Sequence, residues 1–210
     1  MERQLTEVKN SPLAGDPRLA ARLGNEIEGD VWFDTFSRGR YSTDASAYQI
    51  EPIGVVVPRT WQDVISAIQI AADEEIAVLP RGAGTSQCGQ TVGEALVIDT
   101  SAYLNSVIKL DPDRQSVCVE PGMVLDHLNR CLSSHGLMFP VDVSTAAQAT
   151  IGGMTGNNSC GARSIRYGTM RDNVQALSRI LAERRRQRLD TLEEDVPRDG
   201  LEQPLREIGV

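Results

Sequence analysis

Leu19, Leu23 and Ile27 recur at four-residue spacing in the otherwise polar stretch DPRLAARLGNEIE (16–28), which predicts a short helix burying one narrow stripe. Asp16 ahead of Pro17 supplies its N-cap and first helical position. After the polar, aromatic-dotted FSRGRYSTDASAYQIEP (36–52), the run GVVVP reads as a buried strand stopped by Pro58. TWQDVISAIQIAADEE (60–75) returns to helical spacing through Val64, Ile68 and Ala71 or Ala72. IAVLP (76–80) then makes a second buried strand. A strand–helix–strand unit results, which implies a parallel pairing through a right-handed crossover.

ALVIDT (95–100), SVIKLD (106–111) and SVCVEP (116–121) predict three further strands, the last two joined by the turn-forming DPDRQ. MVLDHLNRCLSSHG (123–136) predicts a helix ended by Gly136 in a left-handed cap. Beyond it, Val174, Leu177 and Leu181, then Leu189 and Leu192, are more helical than alternating, in a run rich in Ala, Glu, Arg and Leu. The expected organisation is an N-terminal helical and extended segment (1–50), a main domain (51–175), and a charged tail (176–210), helical at first and disordered beyond DVPRDG. The fold class is α+β, with a small strand–helix–strand subdomain and the start of a second mixed subdomain.

Composition narrows the function classes. The chain has 210 residues, a hydrophobic fraction of 40% and a net charge of −8. It can bury a core, and it lacks the excess Lys and Arg of a sequence-independent nucleic-acid binder. The basic run RRRQR (184–188) is offset by LDTLEED and reads as a solvated helix face. No window reaches the ~18 apolar residues of a membrane span and the N-terminus is polar, so the expected location is cytoplasmic. Cys88, Cys118, Cys131 and Cys160 form no C-x-x-C pair, which leaves them as reduced, semi-buried thiols and suggests no metal site.

Two glycine-rich stretches carry the candidate chemistry. LPRGAGTSQCG (79–89) follows the second strand directly. Successive backbone N–H groups in such a turn can bind an anion; Thr85 and Ser86 add hydroxyls, and Arg81 offers a positive charge toward a diphosphate. A tight turn whose glycines serve geometry alone is the competing reading. Neither G-x-x-x-x-G-K-[ST] nor a full G-x-G-x-x-G is present. ATIGGMTGNNSCG (149–161) is the second stretch. Glycines at that density let main chain approach something flat and large, with amides to meet its polar edge; a small-residue helix packed against a sheet is the alternative.

In this order and about seventy residues apart, these stretches resemble the FAD-binding (PCMH-type) domain of the vanillyl-alcohol oxidase and p-cresol methylhydroxylase superfamily. PIGVVVPRTWQDVISAIQIAADEEIAVLPRGAGTSQCG, ALVIDTSAYLNSVIKLD, VEPGMVLDHLN and FPVDVSTAAQATIGGMTGNNSCGARSIRYGTMRDNV carry the resemblance, which spans residues 16–174. Within the superfamily the chain is similar to bacterial FAD-linked 2-hydroxyacid dehydrogenases, the group of glycolate oxidase and the D-lactate and D-2-hydroxyglutarate dehydrogenases. FSRGRYSTDASAYQIEP is similar to members fused to a downstream iron–sulfur domain.

The resemblance implies FAD as cofactor, with its diphosphate against the backbone of Arg81, Gly82, Ala83, Gly84, Thr85 and Ser86. The ribityl chain and the pyrimidine edge of the flavin would follow Thr150, Ile151, Gly152, Gly153, Gly156, Asn158 and Gly161, with Pro140 and Asp142 nearby. Members that attach the flavin covalently through the first loop carry a His where this chain has Thr85, so non-covalent FAD is implied. The groups that hold substrate and take its proton lie in a downstream domain in the related enzymes. His127 and His135 sit in the predicted helix 123–135, and no residue here is assigned a catalytic role. The family character expected after residue 174 is missing, which reads as a truncated product. The implied function is the FAD-binding part of a flavin-dependent oxidoreductase acting on a 2-hydroxy acid, its substrate domain supplied by a separate chain. A non-catalytic FAD module or an inactive remnant is the alternative.

Overall fold

The computed structural model describes residues 14–180, 186–190, 201–204 and 206–207. Helix α1 (Pro17–Glu26) begins where Asp16 accepts from the Arg18 amide at 2.8 Å, and its stripe Leu19 and Leu23 is buried. The aromatic-dotted stretch and the residues before it hold two elements that periodicity misses, strand β1 (Asp30–Trp32) and helix α2 (Thr35–Tyr41). Strand β2 (Gly54–Val57), helix α3 (Trp61–Asp73), and strands β3 (Val78–Arg81) and β4 (Leu96–Asp99) complete the first half. A reciprocal Thr60–Asp63 capping box starts α3. The Asp63 carboxylate also accepts from the Glu28 amide at 3.1 Å, tying the α1–β1 connection to that helix end.

The first sheet runs β1-β2-β4-β3. β2 and β3 are parallel as expected, but not to each other's edge: β4 lies between them, parallel to both. β2 and β4, both buried throughout and apolar, take the sheet centre, while β3 stays half-exposed at the edge. Its exposed edge position leaves the glycine loop after Arg81 at the molecular surface.

In the second half, β5 (Val107–Asp111) and β6 (Ser116–Val119) form the predicted hairpin. Helix α4 (Leu125–Ser133) follows, with Gly136 at φ 68° behind it. Then come β7 (Leu137–Met138) and the short helices α5 (Ile151–Gly156), α6 (Ser164–Tyr167) and α7 (Met170–Asn173). Strands β8 (Ala176–Ile180), β9 (Arg186–Asp190), β10 (Leu201–Pro204) and β11 (Arg206–Glu207) end the described chain. The second sheet runs β5-β6-β10-β8-β9, and β11 pairs with β7.

The tail corrects the helical expectation for 176–210. β8 and β9 pair antiparallel from Ala176↔Asp190 to Ile180↔Arg186, so part of the basic run lies on a strand and not on a helix face. Local propensity favours helix there, but Ala176 is buried and Leu177 packs against the apolar cluster of Val117, Leu128 and Ile151, and tertiary pairing decides. Residues 1–13 and the DVPRDG stretch (195–200), with the expected disorder there, lie outside the described residues.

Candidate functional site

β3 ends at Arg81 and delivers the chain into the first glycine loop. Among the described residues, the N–H groups of Ala83, Gly84, Thr85, Ser86 and Gln87 have no hydrogen-bond acceptor. Five consecutive half-exposed or exposed amides without a protein partner are a concentrated source of positive partial charge. The Thr85 hydroxyl has no partner among the described residues either. Ser86 donates to Gln90 Oε1 and accepts from the Cys88 amide.

The second stretch lies beside the first. Gly82 meets Thr150: a Cβ at residue 82 would overlap the Thr150 hydroxyl, so only glycine allows this approach. Gln90 Nε2 donates to Asn157 Oδ1 at 2.7 Å, a second link between the two ribbons. Half of residues 150–161 is a small-residue helix, the alternative reading of that stretch. Thr150 caps α5 by accepting from Gly153 N, and Gly152 packs on Pro121. The amides of Ile151, Gly152, Gly153, Met154, Asn157 and Asn158 are all bonded to protein acceptors, so this ribbon offers close approach and side chains, while free amides come from the first loop. Gly156 has open space around it.

Three assigned side chains face protein. Arg81 was expected to direct charge at a diphosphate. Instead its guanidinium donates to the carbonyls of Tyr41 (3.2 Å), Thr91 (2.9 Å) and Thr43 (2.8 Å), and it lies over the Tyr41 ring. Burial pushes its pKa down, partly opposed by Asp99, Tyr41 and Asp44. The carboxylate of Asp142 accepts from the Arg163 amide at 3.0 Å, and the Asp142 carbonyl crowds Gly161. Asn158, at φ 47°, accepts from the Arg171 amide at 2.9 Å. Pro140 is buried. Under the loop, the Tyr41 hydroxyl donates to Asp99 at 2.7 Å; burial and that carboxylate drive the phenol pKa above its ordinary value.

His127 and His135 are exposed, His135 lying just past the end of α4. The thiols differ from expectation: Cys118 is buried, whereas Cys88, Cys131 and Cys160 are exposed. Among the described residues no group of His, Cys, Asp or Glu could hold a metal, and no helix is long and apolar enough to cross a membrane. Sequence reasoning missed the segment 42–50. It covers the first loop through Asp44, which accepts from Thr91 Oγ1 at 2.9 Å, and through Ala45, whose amide donates to the Gly84 carbonyl at 3.1 Å. Its signal was the Asp and Ser content of STDAS, typical of side-chain-capped turns.

A profile of the FAD binding domain family matches residues 52–189. The chain belongs to this family. The match runs to residue 189, through β8 and into β9, so family character continues past residue 174, where the sequence motifs end. D-2-hydroxyglutarate dehydrogenase of Escherichia coli (strain K12) is 36% identical over 185 residues, 84% of this chain and 18% of that protein. Glycolate oxidase subunit GlcD of Bacillus subtilis (strain 168) is 33% identical over 161 residues, 75% of this chain and 34% of that protein. The chain therefore spans about a fifth to a third of these relatives. A solved structure of alkyldihydroxyacetonephosphate synthase superposes with a TM-score of 0.78 at 17% identity, covering 96% of this chain and 43% of that one, a likeness of fold. The donor set suits the family's ligand: a diphosphate accepts hydrogen bonds, and the first loop offers five unbonded amides beside a ribbon that glycine keeps close.

Proposed function

We propose that this chain holds FAD non-covalently as the cofactor-binding part of an enzyme that oxidises a 2-hydroxy acid. The carrying observation is the unpartnered amide series Ala83–Gln87, set against the ribbon that starts at Thr150. The diphosphate is bound by backbone of residues 81–86, with Gly82 keeping the ribbons in contact. The polyol and the flavin's pyrimidine edge follow Thr150, Ile151, Gly152, Gly153, Gly156, Asn158 and Gly161, near Pro140 and Asp142. Thr85 offers no nitrogen nucleophile for a flavin bond, which supports reversible attachment.

FAD supplies a hydride acceptor. With FAD bound, a 2-hydroxy acid would be oxidised to its 2-oxo acid, the hydroxyl proton passing to a base outside the residues assigned here. The 2-hydroxy-acid class rests on the names of the relatives, D-2-hydroxyglutarate dehydrogenase and glycolate oxidase. The exposed His127 and His135 are given no part in it. A separate chain supplying the substrate region fits the fraction of each relative that is covered. A cytoplasmic site of action fits the composition.

Equilibrium dialysis of the 210-residue chain against FAD, followed by acid precipitation, tests the cofactor reading. Bound flavin that leaves with the supernatant supports it; absence of binding, or flavin that stays in the pellet, counts against binding or against reversible attachment respectively. Reduction of an artificial electron acceptor by a 2-hydroxy acid separates an active assembly from a non-catalytic FAD module.

A further inference from the structure

Residues 42–50 fold back on themselves through the Thr43↔Gln49 bridge and the Ile50 N–H to Ser42 carbonyl bond of 2.9 Å. This flap is fastened to the first glycine loop and the residues flanking it. Arg81 holds the Thr43 carbonyl, the Ala45 amide holds the Gly84 carbonyl, and Thr91 holds the Asp44 carboxylate. Among the described residues the flap makes no hydrogen bond to 150–161. The loop therefore has two separate neighbours: the second ribbon, which meets Gly82 and Gln90, and the flap, which meets Gly84, Gly89 and Thr91.

Tyr48 stands on this flap with its ring edge against Gly89; a Cβ on residue 89 would strike the ring. Although docked, Tyr48 is 60% exposed and its hydroxyl has no partner among the described residues. A large aromatic side chain left open against the loop that carries the free amides is a platform for a planar ligand group, because stacking needs only a π-face.

Resting on the FAD reading, we infer that Tyr48 stacks on the adenine of the dinucleotide and so selects FAD over flavin mononucleotide. A dinucleotide fixed at its diphosphate sends its two ring systems apart. The polyol and flavin take the second ribbon, and the adenosine takes the remaining neighbour, the flap. The ring's position is set by Gly89 and by the Ser46 hydroxyl, which accepts from the Tyr48 amide at 3.1 Å.

The test is fluorescence titration of the full chain and its Tyr48→Ala and Tyr48→Phe variants with FAD, FMN and ADP. Tyr48→Ala weakens FAD and ADP by about tenfold and leaves FMN unchanged, while Tyr48→Phe retains wild-type affinity for all three. Unchanged FMN binding also shows that the variant's site is folded. Equal weakening of FAD and FMN would place the ring at the flavin, and unchanged FAD and ADP would leave it without a ligand; either overturns the inference while the FAD reading stands. A wild-type chain that binds none of the three overturns both.

Discussion

Gly82 and Thr150 touch across the site: the bare Cα of one faces the hydroxyl of the other, and that hydroxyl also caps α5 by accepting from Gly153 N at 3.3 Å. One atom thus sets the spacing between the two ribbons and starts the helix in the second. The contact makes the edge of the first sheet and the loops of the second half one structural unit.

Gly82→Ala inserts a methyl into that contact. Overpacking of this kind costs about 1–3 kcal/mol, and a displaced Thr150 loses a cap worth ~1 kcal/mol. Urea denaturation should show the loss, and FAD affinity should fall at least tenfold as the ribbons separate. Thr150→Ala alone loses the cap. Combined with Gly82→Ala it makes room for the methyl, so the double variant should be more stable than the sum of the single effects, and a double-mutant cycle measures that coupling.

Arg81→Lys keeps the charge but not the planar fork that reaches the carbonyls of Tyr41, Thr43 and Thr91. Stability should drop by about 2–4 kcal/mol, read as a lower urea midpoint at unchanged m. Flap amides such as Ala45 should exchange faster in hydrogen-exchange experiments. A variant that kept its stability and flap protection but lost FAD would mean that the guanidinium turns to the diphosphate.

What could be read in the chain depended on how local the cause was. Asp16–Pro17 and Gly136 act within a few residues: the first pair starts α1, and Gly136 takes the left-handed turn just past the end of α4. Glycine density marked both ribbons before their contact was visible. Arg81 was legible as a charge near a loop, but its direction depends on carbonyls forty residues upstream and ten downstream. Likewise Asp142 is spent on the Arg163 amide, a partner no local pattern announces. The tail was misread because Ala, Arg and Leu favour helix locally, whereas β9 and the packing of Leu177 act from outside that window. The flap was missed because short polar segments take their shape from such distant bonds.

Acid should loosen the flap. Burial raises the Asp44 pKa, but hydrogen bonds from Ser46 and Thr91 outweigh it and hold the carboxyl below its ordinary value of 3.8. A depressed folded pKa means that the stabilisation is complete above the unfolded value and is lost as pH falls through the folded one. The stability gap between wild type and Asp44→Asn should therefore stay constant at neutral pH and narrow below the ordinary carboxyl value. Paired urea titrations across that range check the sign; a gap that widened in acid would contradict it.

Asn173 provides a sharper electrostatic test. It is fully buried; its Nδ2 donates to the carbonyls of Tyr167 (2.9 Å) and Thr169 (2.8 Å), while Oδ1 has no partner among the described residues. Asn173→Asp replaces the doubly used donor with an acceptor facing two carbonyls. Protonated, the new carboxyl can still donate to one of them. Ionised, it is a buried charge among acceptors, a state that costs about 3–5 kcal/mol when uncompensated. Its folded pKa must rise above the unfolded value, so the variant binds its proton more tightly folded than unfolded and loses stability as pH climbs through that window. Relative to wild type it should be least destabilised in acid and most destabilised at neutral pH, because here the ionised carboxylate destabilises the fold where that of Asp44 stabilises it. Urea midpoints of Asn173→Asp and Asn173→Ala against pH decide it, because the alanine variant loses the same two hydrogen bonds without gaining a titrating group.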